Sequence, residues 1–419
     1  MSKDLRPPVT HIAQRTTFAP ETALGYARAL ARPRRAGSGE DEAVAREIAQ
    51  RLEQLGWTVE RQPFRFSNLV NLVIAVEVLA CLVLTAAAAW PGVIPAWIPA
   101  ILILVLLTLT NRIVHAAQTR AVVLGADARR PARILPQFAT ANLIATPPHS
   151  PNNPSASHLY LVAHYDSKSQ FMPIVVRVTL FVAAIGGGVS FAGLTLAGLL
   201  FPALLPVANL AGILTMITAV PLAVLLLVEV GNASPGAIDN ASGVGLVLHL
   251  ADLLTARPDL LQRLRVTLLI TSAEEFGLLG AVAYLRQLTR SGEPYILNFD
   301  GVGVDGNLYY ADAPAQSPGR LVALIREACH ELSIPIKKYA LPGALFDHTP
   351  FAQRRFDAVS LTAIGRATWF VHTPDDTPDK LHVRGFEQAG RVALRVIEKL
   401  AEQGTEGTVG TEGNQQIAS

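Results

Sequence analysis

The chain is short of charge, of aromatic residues and of cysteine. Only 16% of its 419 residues are charged, 6% are aromatic, and two are cysteine. A soluble domain averages about a quarter charged residues, so this chain is unusually apolar for its length. Two cysteines cannot form a disulfide framework. A net charge of +2 lacks the concentrated basic face that binds nucleic acid. Half of the residues are hydrophobic and the mean hydropathy is +0.34, which excludes a disordered chain of low hydrophobicity and high net charge. The first 67 residues hold no apolar stretch resembling a signal peptide. These absences leave a membrane protein, or a globular enzyme carrying membrane segments.

The surplus of apolar residues lies in four runs. Asn68 to Trp90 has Glu77 as its only charge, and Val93 to Thr110 has none. Ile174 to Leu200 has only Arg177, and Ala203 to Val228 is uncharged. A helix rises about 1.5 Å per residue, so roughly 20 apolar residues cross a bilayer core. Buried core helices are usually shorter and keep a polar stripe, which these runs lack. The runs pair into two hairpins, turning at Trp90-Pro91-Gly92 and around Phe201-Pro202. Basic residues gather at the opposite ends: Arg61 and Arg65, then Arg112, Arg120, Arg129, Arg130 and Arg133, then Lys168 and Arg177. Such residues favour the cytoplasmic side, so the polar remainder is expected to be cytoplasmic. Arg177 is expected to snorkel to the interface, and Glu77 to face another helix.

The hairpins divide the polar part. Residues 1–67, 112–173 and 231–402 form one interrupted domain around hairpins at 68–111 and 174–230, and 403–419 read as a disordered tail. Val44, Ile48, Leu52 and Leu55 mark one face of a helix over Ser38 to Leu55, and Thr58 to Phe66 alternates as a strand. Ala141 to Ala145 and His158 to Ala163 read as short strands. Beyond the second hairpin, strands at Arg265 to Thr271, Tyr295 to Phe299 and Ala358 to Ala363 alternate with helices at Ser242 to Ala256, Gly277 to Leu288 and Gly319 to Leu332. A last amphipathic helix covers Asp379 to Glu402. This alternation predicts an α/β fold, a mostly parallel mixed sheet with helices on both faces.

The titratable residues gather at the carboxyl ends of these strands, where open parallel sheets bind ligands. His164 and Asp166 follow LYLVA, Glu274 and Glu275 follow VTLLITSA, and Asp300 follows YILNF. His372 lies in the loop after Val359 to Ala363, and Asp239 stands in GAIDNASG before a helix. Taken singly, each has a plainer reading. Asp239 could cap a helix, the Glu274-Glu275 pair could open one, Asp300-Gly301 could be turn chemistry, and His372 could be an ordinary loop histidine. Together, two imidazoles and several carboxylates without cysteine suit zinc or a similar divalent ion, cobalt and manganese included.

The ordered series HYDS, DNASG, AEEFGLLGA, NFDGVG and VHTPDDTPDKL resembles metallopeptidase family twenty-eight, the co-catalytic two-zinc aminopeptidases and their relatives. The segment from Arg32 to Phe64 is similar to that family's opening helix and strand. The resemblance covers residues 30–67, 138–170 and 231–402 and implies a zinc exopeptidase-like fold with two zinc ions per chain. It implies that His164 and Asp300 hold one zinc, that Glu275 and His372 hold the other, and that Asp239 bridges them. It makes Glu274 the general base and Asp166 the carboxylate that fixes the His164 tautomer. Asp347 and His348, in LFDHTPF, match a segment near the family's substrate pocket, and Asn240 and Ser242 are read as caps of the helix after Asp239. Two departures stand out. A membrane hairpin occupies the usually short interval between HYDS and DNASG, and Val371 stands where some relatives carry a tyrosine for the oxyanion.

The expected function is a membrane-embedded peptidase, an aminopeptidase, acting on peptides close to the membrane. Insertions beside His164 would bring the active site near the bilayer surface. Glutaminyl cyclases, single-zinc relatives with a segment like HYDSK, are the alternative, and Lys168 leans that way. A non-catalytic scaffold would not need all five ligands and the base. A transporter would call for charged or broken helices.

Overall fold

A computed structural model describes residues 17–88, 95–125, 135–151, 156–201, 208–226, 230–288, 293–312, 319–339 and 345–412. The polar parts converge on one nine-stranded sheet. Its strands are β1 (Thr58–Phe66), β2 (Val122–Leu124), β3 (Phe138–Thr146), β4 (His158–His164), β5 (Arg265–Thr271), β6 (Tyr295–Phe299), β7 (Gly306–Asp312), β8 (Ile336–Lys338) and β9 (Asp357–Gly365). They are ordered β2-β1-β3-β5-β4-β6-β9-β7-β8.

The sheet is less parallel than the alternation of strands and helices predicts. The run β5-β4-β6-β9 is parallel, as is β7 with β8, whereas β1 pairs antiparallel with β2 and β3, β3 with β5, and β7 with β9. The parallel strands are those separated by crossover helices, as parallel pairing requires. The antiparallel pairs, β2-β1-β3-β5 and β9-β7, flank that parallel run on either side.

Side-chain alternation along the central strands fills both faces. Leu159, Leu161 and Ala163 of β4 enter one core with Leu268 and Ile270 of β5, while Tyr160, Val162 and Leu269 enter another. The first core receives α1 (Pro20–Leu30), α2 (Glu40–Gln54), α7 (Ser242–Thr255), α10 (Arg320–Glu331) and α12 (Val383–Glu412). The second receives α9 (Leu279–Gln287) and α11 (His348–Gln353). A short α8 (Pro258–Leu261) follows α7. The α12 helix begins after a 3₁₀ turn at Pro378–Lys380 and runs ten residues beyond Glu402. Residues 403–412, expected in a disordered tail, therefore continue the helix, and the rest of that tail lies outside the described residues.

The apolar runs form α3 (Leu69–Ala88), α4 (Trp97–Ala121), α5 (Ile174–Leu200) and α6 (Ala208–Leu225). These pack as two hairpins, α3 on α4 and α5 on α6, with further contacts between α3 and α6 and between α4 and α5. Among the described residues, α3, α4 and α5 are long and apolar enough to cross a membrane, and they remain largely uncovered by the rest of the chain. Val76, Val83, Leu199 and Met216 are more than half exposed. Ala237–Thr255, which contains α7, also has the length and composition of a span but is 89% buried, and it is a core helix of the sheet domain. The expected hairpin turns at 90–92 and from 202 onwards lie outside the described residues, as do Arg129, Arg130 and Arg133.

Both hairpins are anchored at their polar ends. The α3 helix follows β1 after two residues, and α4 runs directly into β2, which pairs with β1. A Ser67 N–H bond to the Ala121 carbonyl at 3.1 Å closes the base. Hairpin two leaves and returns beside the Ser169↔Gly231 bridge.

Candidate metal centre

The parallel strands deliver the candidate ligands to one edge. His164 ends β4, Glu274 and Glu275 form a 3₁₀ turn just after β5, Asp300 follows β6, and His372 lies beyond the 3₁₀ turn (Arg366–Phe370) after β9. Asp239 stands at the kink before α7. All five predicted ligands come together. Two groups of three can each surround one ion: His164, Asp239 and Asp300, and Asp239, Glu275 and His372. They share Asp239, whose Oδ1 is 3.1 Å from His164 Nε2 and whose Oδ2 is 2.9 Å from His372 Nε2. Asp300 Oδ2 lies 3.7 Å from His164 Nε2, and Glu275 Oε1 lies 3.2 Å from His372 Nε2.

The donor set fits a pair of divalent cations. His164 Nε2, Asp239 Oδ1, Glu275 Oε1 and His372 Nε2 are buried without a hydrogen-bond partner, and all four point at these two positions. Buried polar atoms are almost always paired, so a convergent set of unpaired ones marks a place for a cation. The electrostatics agree. Although burial opposes its charge, the carboxylates of Glu274 and its neighbours hold His164 well above the ordinary imidazole range. Burial also opposes charge on Asp239, yet the two imidazoles hold it well below the carboxylate range. Glu275, despite burial, is held at about 2 by His372 and Lys168.

Glu274 differs from its neighbour. It belongs to neither group of three, and its Oε2 is 4.0 Å from His164 Nε2. Burial, reinforced by Glu275, Asp300 and Asp347, pushes its carboxyl well above the usual range, which suits a group that must take and return a proton. The turn is fixed by Asp166, whose two carboxylate oxygens accept the N–H groups of Glu274 and Glu275 at 3.2 and 3.3 Å. For the His164 ring, Nδ1 is nearer the Asp166 carbonyl, at 3.1 Å, than the Asp166 carboxylate, at 3.5 Å. Asp166 thus serves the ring mainly through its backbone and the glutamates through its side chain. Ala273 and His372 adopt positive φ of 55° and 64°, and left-handed non-glycine backbone of this kind concentrates at functional sites.

Asp239 is not a helix cap. Asn240 fills that place: its Oδ1 accepts the Gly243 N–H at 2.9 Å and its Nδ2 donates to the Phe299 carbonyl at 2.8 Å. Ser242 donates instead to the Ile238 carbonyl at 2.7 Å. Asp347 is fully buried, accepts from Thr271, and is pushed by burial up to about 7. His348 turns to Ser360 Oγ, 2.7 Å from its Nδ1, and burial lowers it to about 4.

Three contacts were not foreseen. Asp376 accepts the Ile238 N–H at 2.7 Å and the Asp239 N–H at 3.3 Å, steadying the shared ligand. Arg34, fully buried, donates to the carbonyls of Tyr165, Pro235 and Gly236 and so ties the His164 loop to the Asp239 loop. In the sequence, neither Asp376 nor Arg34 carries a local pattern that would single it out. The third is a correction. Arg177 does not extend to an interface. Its Nη2 lies 2.7 Å from His372 Nδ1, drawn inward by that acceptor and the acidic site behind it. Lys168 likewise reaches Glu275 Oε2 at 2.7 Å.

Both hairpin bases touch the turns that carry the site. Gln118 of α4 donates to the Gly277 carbonyl at 3.0 Å, and Val70 of α3 packs so closely on Gly277 that a Cβ there would lie 2.7 Å from it. The α5 helix packs on the 3₁₀ turn that precedes His372. Between the base of hairpin two and the His372 loop is a cavity of about 560 Å³ bordered by Phe171, Pro173, Ala233 and Pro374.

Known proteins resemble the chain in sequence over part of its length and in fold over most of it. Residues 218–397 match the family model for peptidase family M28. The curated aminopeptidase YwaD of Bacillus subtilis (strain 168) is 27% identical over 176 residues, 39% of this chain and 37% of the relative. The chain thus spans well under half of the curated relative it matches. A zinc aminopeptidase from Bacillus subtilis has a similar fold, with a TM-score of 0.54 at 16% identity over 92% of this chain and 95% of that one. An aminopeptidase from Aneurinibacillus sp. strain AM-1 gives 0.55 at 17% over 93% and 95%. Porphyromonas gingivalis glutaminyl cyclase gives 0.50 at 14% over 91% and 98%. At these identities the structural likeness concerns the fold. The sequence likeness to family M28 thus lies within residues 218–397, and the likeness of fold to aminopeptidases extends over most of the chain.

Proposed function

We propose that this protein is a membrane-embedded, zinc-dependent peptidase, an aminopeptidase with a two-metal centre. The observation that carries the reading is the pair of ligand groups sharing Asp239, with Glu274 standing free beside them. His164, Asp239 and Asp300 would hold one ion, and Asp239, Glu275 and His372 the other. Zinc, when bound, supplies Lewis acidity toward the scissile carbonyl and a water of lowered pKa.

The chain's own residues do the rest. Glu274 takes a proton from water on its raised carboxyl and passes it to the leaving amine. Asp166 holds Glu274 and Glu275 in register by capping both backbone N–H groups. The cavity beside His372 gives an apolar group of a peptide substrate somewhere to lie. The exposed hairpins cross the bilayer, and the basic residues at their bases, Arg112 and Arg120 among them, argue for a cytoplasmic catalytic domain. Since both hairpin bases touch ligand-bearing turns, the substrate is cleaved near the membrane surface.

The second reading is glutaminyl cyclisation at a single zinc. Lys168, the residue that suggested it, is engaged with Glu275, so one of the two positions is already partly neutralised. The test is the activity of detergent-purified protein on aminoacyl and N-terminal glutaminyl substrates, with and without chelator. Chelator-sensitive release of amino-terminal residues supports the peptidase. Ammonia release from glutaminyl substrates alone would replace it with the cyclase.

A further inference from the structure

The two metal positions differ in what stands behind their imidazoles, and the inference drawn from this rests on the two-metal reading. A histidine that gives its Nε2 lone pair to a metal carries its hydrogen on Nδ1 and needs an acceptor there. His164 has one: its Nδ1 faces only oxygen, the Asp166 carbonyl at 3.1 Å and the Asp166 carboxylate at 3.5 Å. His372 does not. Its Nδ1 faces Arg177 Nη2 at 2.7 Å. A guanidinium offers donors and no acceptor, so in this contact Nδ1 accepts and the ring hydrogen sits on Nε2, facing Asp239 and Glu275. For Nε2 to bind a metal the hydrogen would have to occupy Nδ1, where it would meet a second donor. Arg177 and a metal therefore compete for one ring.

The other ligand peculiar to that position is opposed in the same way, because Lys168 Nζ lies 2.7 Å from Glu275 Oε2. The charged side chains against the His164 ring are carboxylates, Asp166 and Glu274, while the buried Arg34 nearby is bound to the backbone carbonyls of Tyr165, Pro235 and Gly236. The first position thus attracts a dication, and the second has two fixed cations against it. Arg177 is also the one charged residue between Ile174 and Leu200, in the first turn of α5, and its Nε is buried without a partner. Of the polar atoms of the site, the one this guanidinium meets at hydrogen-bond distance is His372 Nδ1.

We infer that Arg177, assisted by Lys168, is a positioning residue that makes the His372 position the weaker metal site and couples its filling to the first turn of α5. A first ion settles at His164, Asp239 and Asp300. A second binds only as Arg177 releases His372.

The test uses the full chain in detergent, stripped of metal and titrated with cobalt(II) followed by its visible absorption, and with zinc against a chromophoric chelator. Wild type should bind in two steps, the second at least about ten-fold weaker, since changes behind a metal-bound histidine move affinity by roughly 10–100-fold. In Arg177→Gln the amide oxygen can accept from Nδ1, so the second step should tighten about ten-fold with the first unchanged. His372→Ala should remove the second step alone. Two equal steps in wild type, or an Arg177→Gln second step that is unchanged or weaker, would overturn the inference while leaving the two-metal reading intact. Absence of any binding in wild type would overturn that reading instead. Should Arg177→Gln misfold, Lys168→Met is expected to tighten the second step, and failure to do so counts against the inference equally.

Discussion

Replacing Glu274 with glutamine removes a proton carrier and little else. The amide matches the carboxylate in shape, and Glu274 belongs to neither ligand group. Its backbone N–H stays bound to Asp166, and the turn it sits in is closed by Gly277 and Leu278 N–H bonds to its own carbonyl at 2.8 and 2.7 Å. Metal content and fold should therefore survive. The lost function is general-base transfer, which contributes about 10²–10⁴ in rate, or about 3–5 kcal/mol of barrier at 1.36 kcal/mol per decade. The assay is kcat/KM on an aminoacyl substrate, paired with metal analysis of the same preparation. Full metal content with turnover down at least about a hundred-fold is expected. Full metal content with wild-type turnover would refute the assignment of the base, and loss of metal would make Glu274 a ligand.

The shared ligand predicts an asymmetry among carboxylate variants: Asp239→Asn should lower metal content at both positions, whereas Asp300→Asn should lower it only at the His164 position, as read by metal analysis after dialysis. A stability effect arises far from the site, at the start of β4, where burial and then Arg265 lower the His158 imidazole to about 4. The unfolded value is about 6.5, so between these values the unfolded chain binds the extra proton. Stability is then complete above about 6.5 and falls as the pH drops toward 4, by up to about 3 kcal/mol. His158→Phe should flatten that part of the unfolding-versus-pH curve, and an unaltered slope would contradict the assignment. The hairpins predict that the protein stays in the membrane pellet after an alkaline carbonate wash, and release into the supernatant would count against bilayer-spanning helices.

The parts of the fold legible in the sequence are those with strong local periodicity. Strand β1 falls on the predicted residues because TVERQPFRF alternates, and β5 and β6 because the apolar runs there are bounded by turns. The edge strand β8 is three residues long and carries two lysines, so its pairing comes from its neighbour β7 rather than from any pattern of its own. Strand β7 begins at the end of the glycine-rich GVGVDG and was hidden among turn residues, and with it the antiparallel pairing with β9. The hydropathy of 237–255 resembles a membrane span, and only the surrounding sheet and helices make it a core element. The ligands were legible because they sit where strands end, a rule of topology. Arg34, Asp376 and the inward turn of Arg177 were not, since each acts across more than 130 residues of chain.

The most direct test of the account is anomalous scattering at the zinc edge from crystals of the detergent-solubilised protein grown with excess zinc. Two peaks are predicted, one at about 2.0–2.2 Å from donor atoms of His164, Asp239 and Asp300, the other at that distance from donor atoms of Asp239, Glu275 and His372. Zinc bound elsewhere, with both of these positions empty, would contradict it.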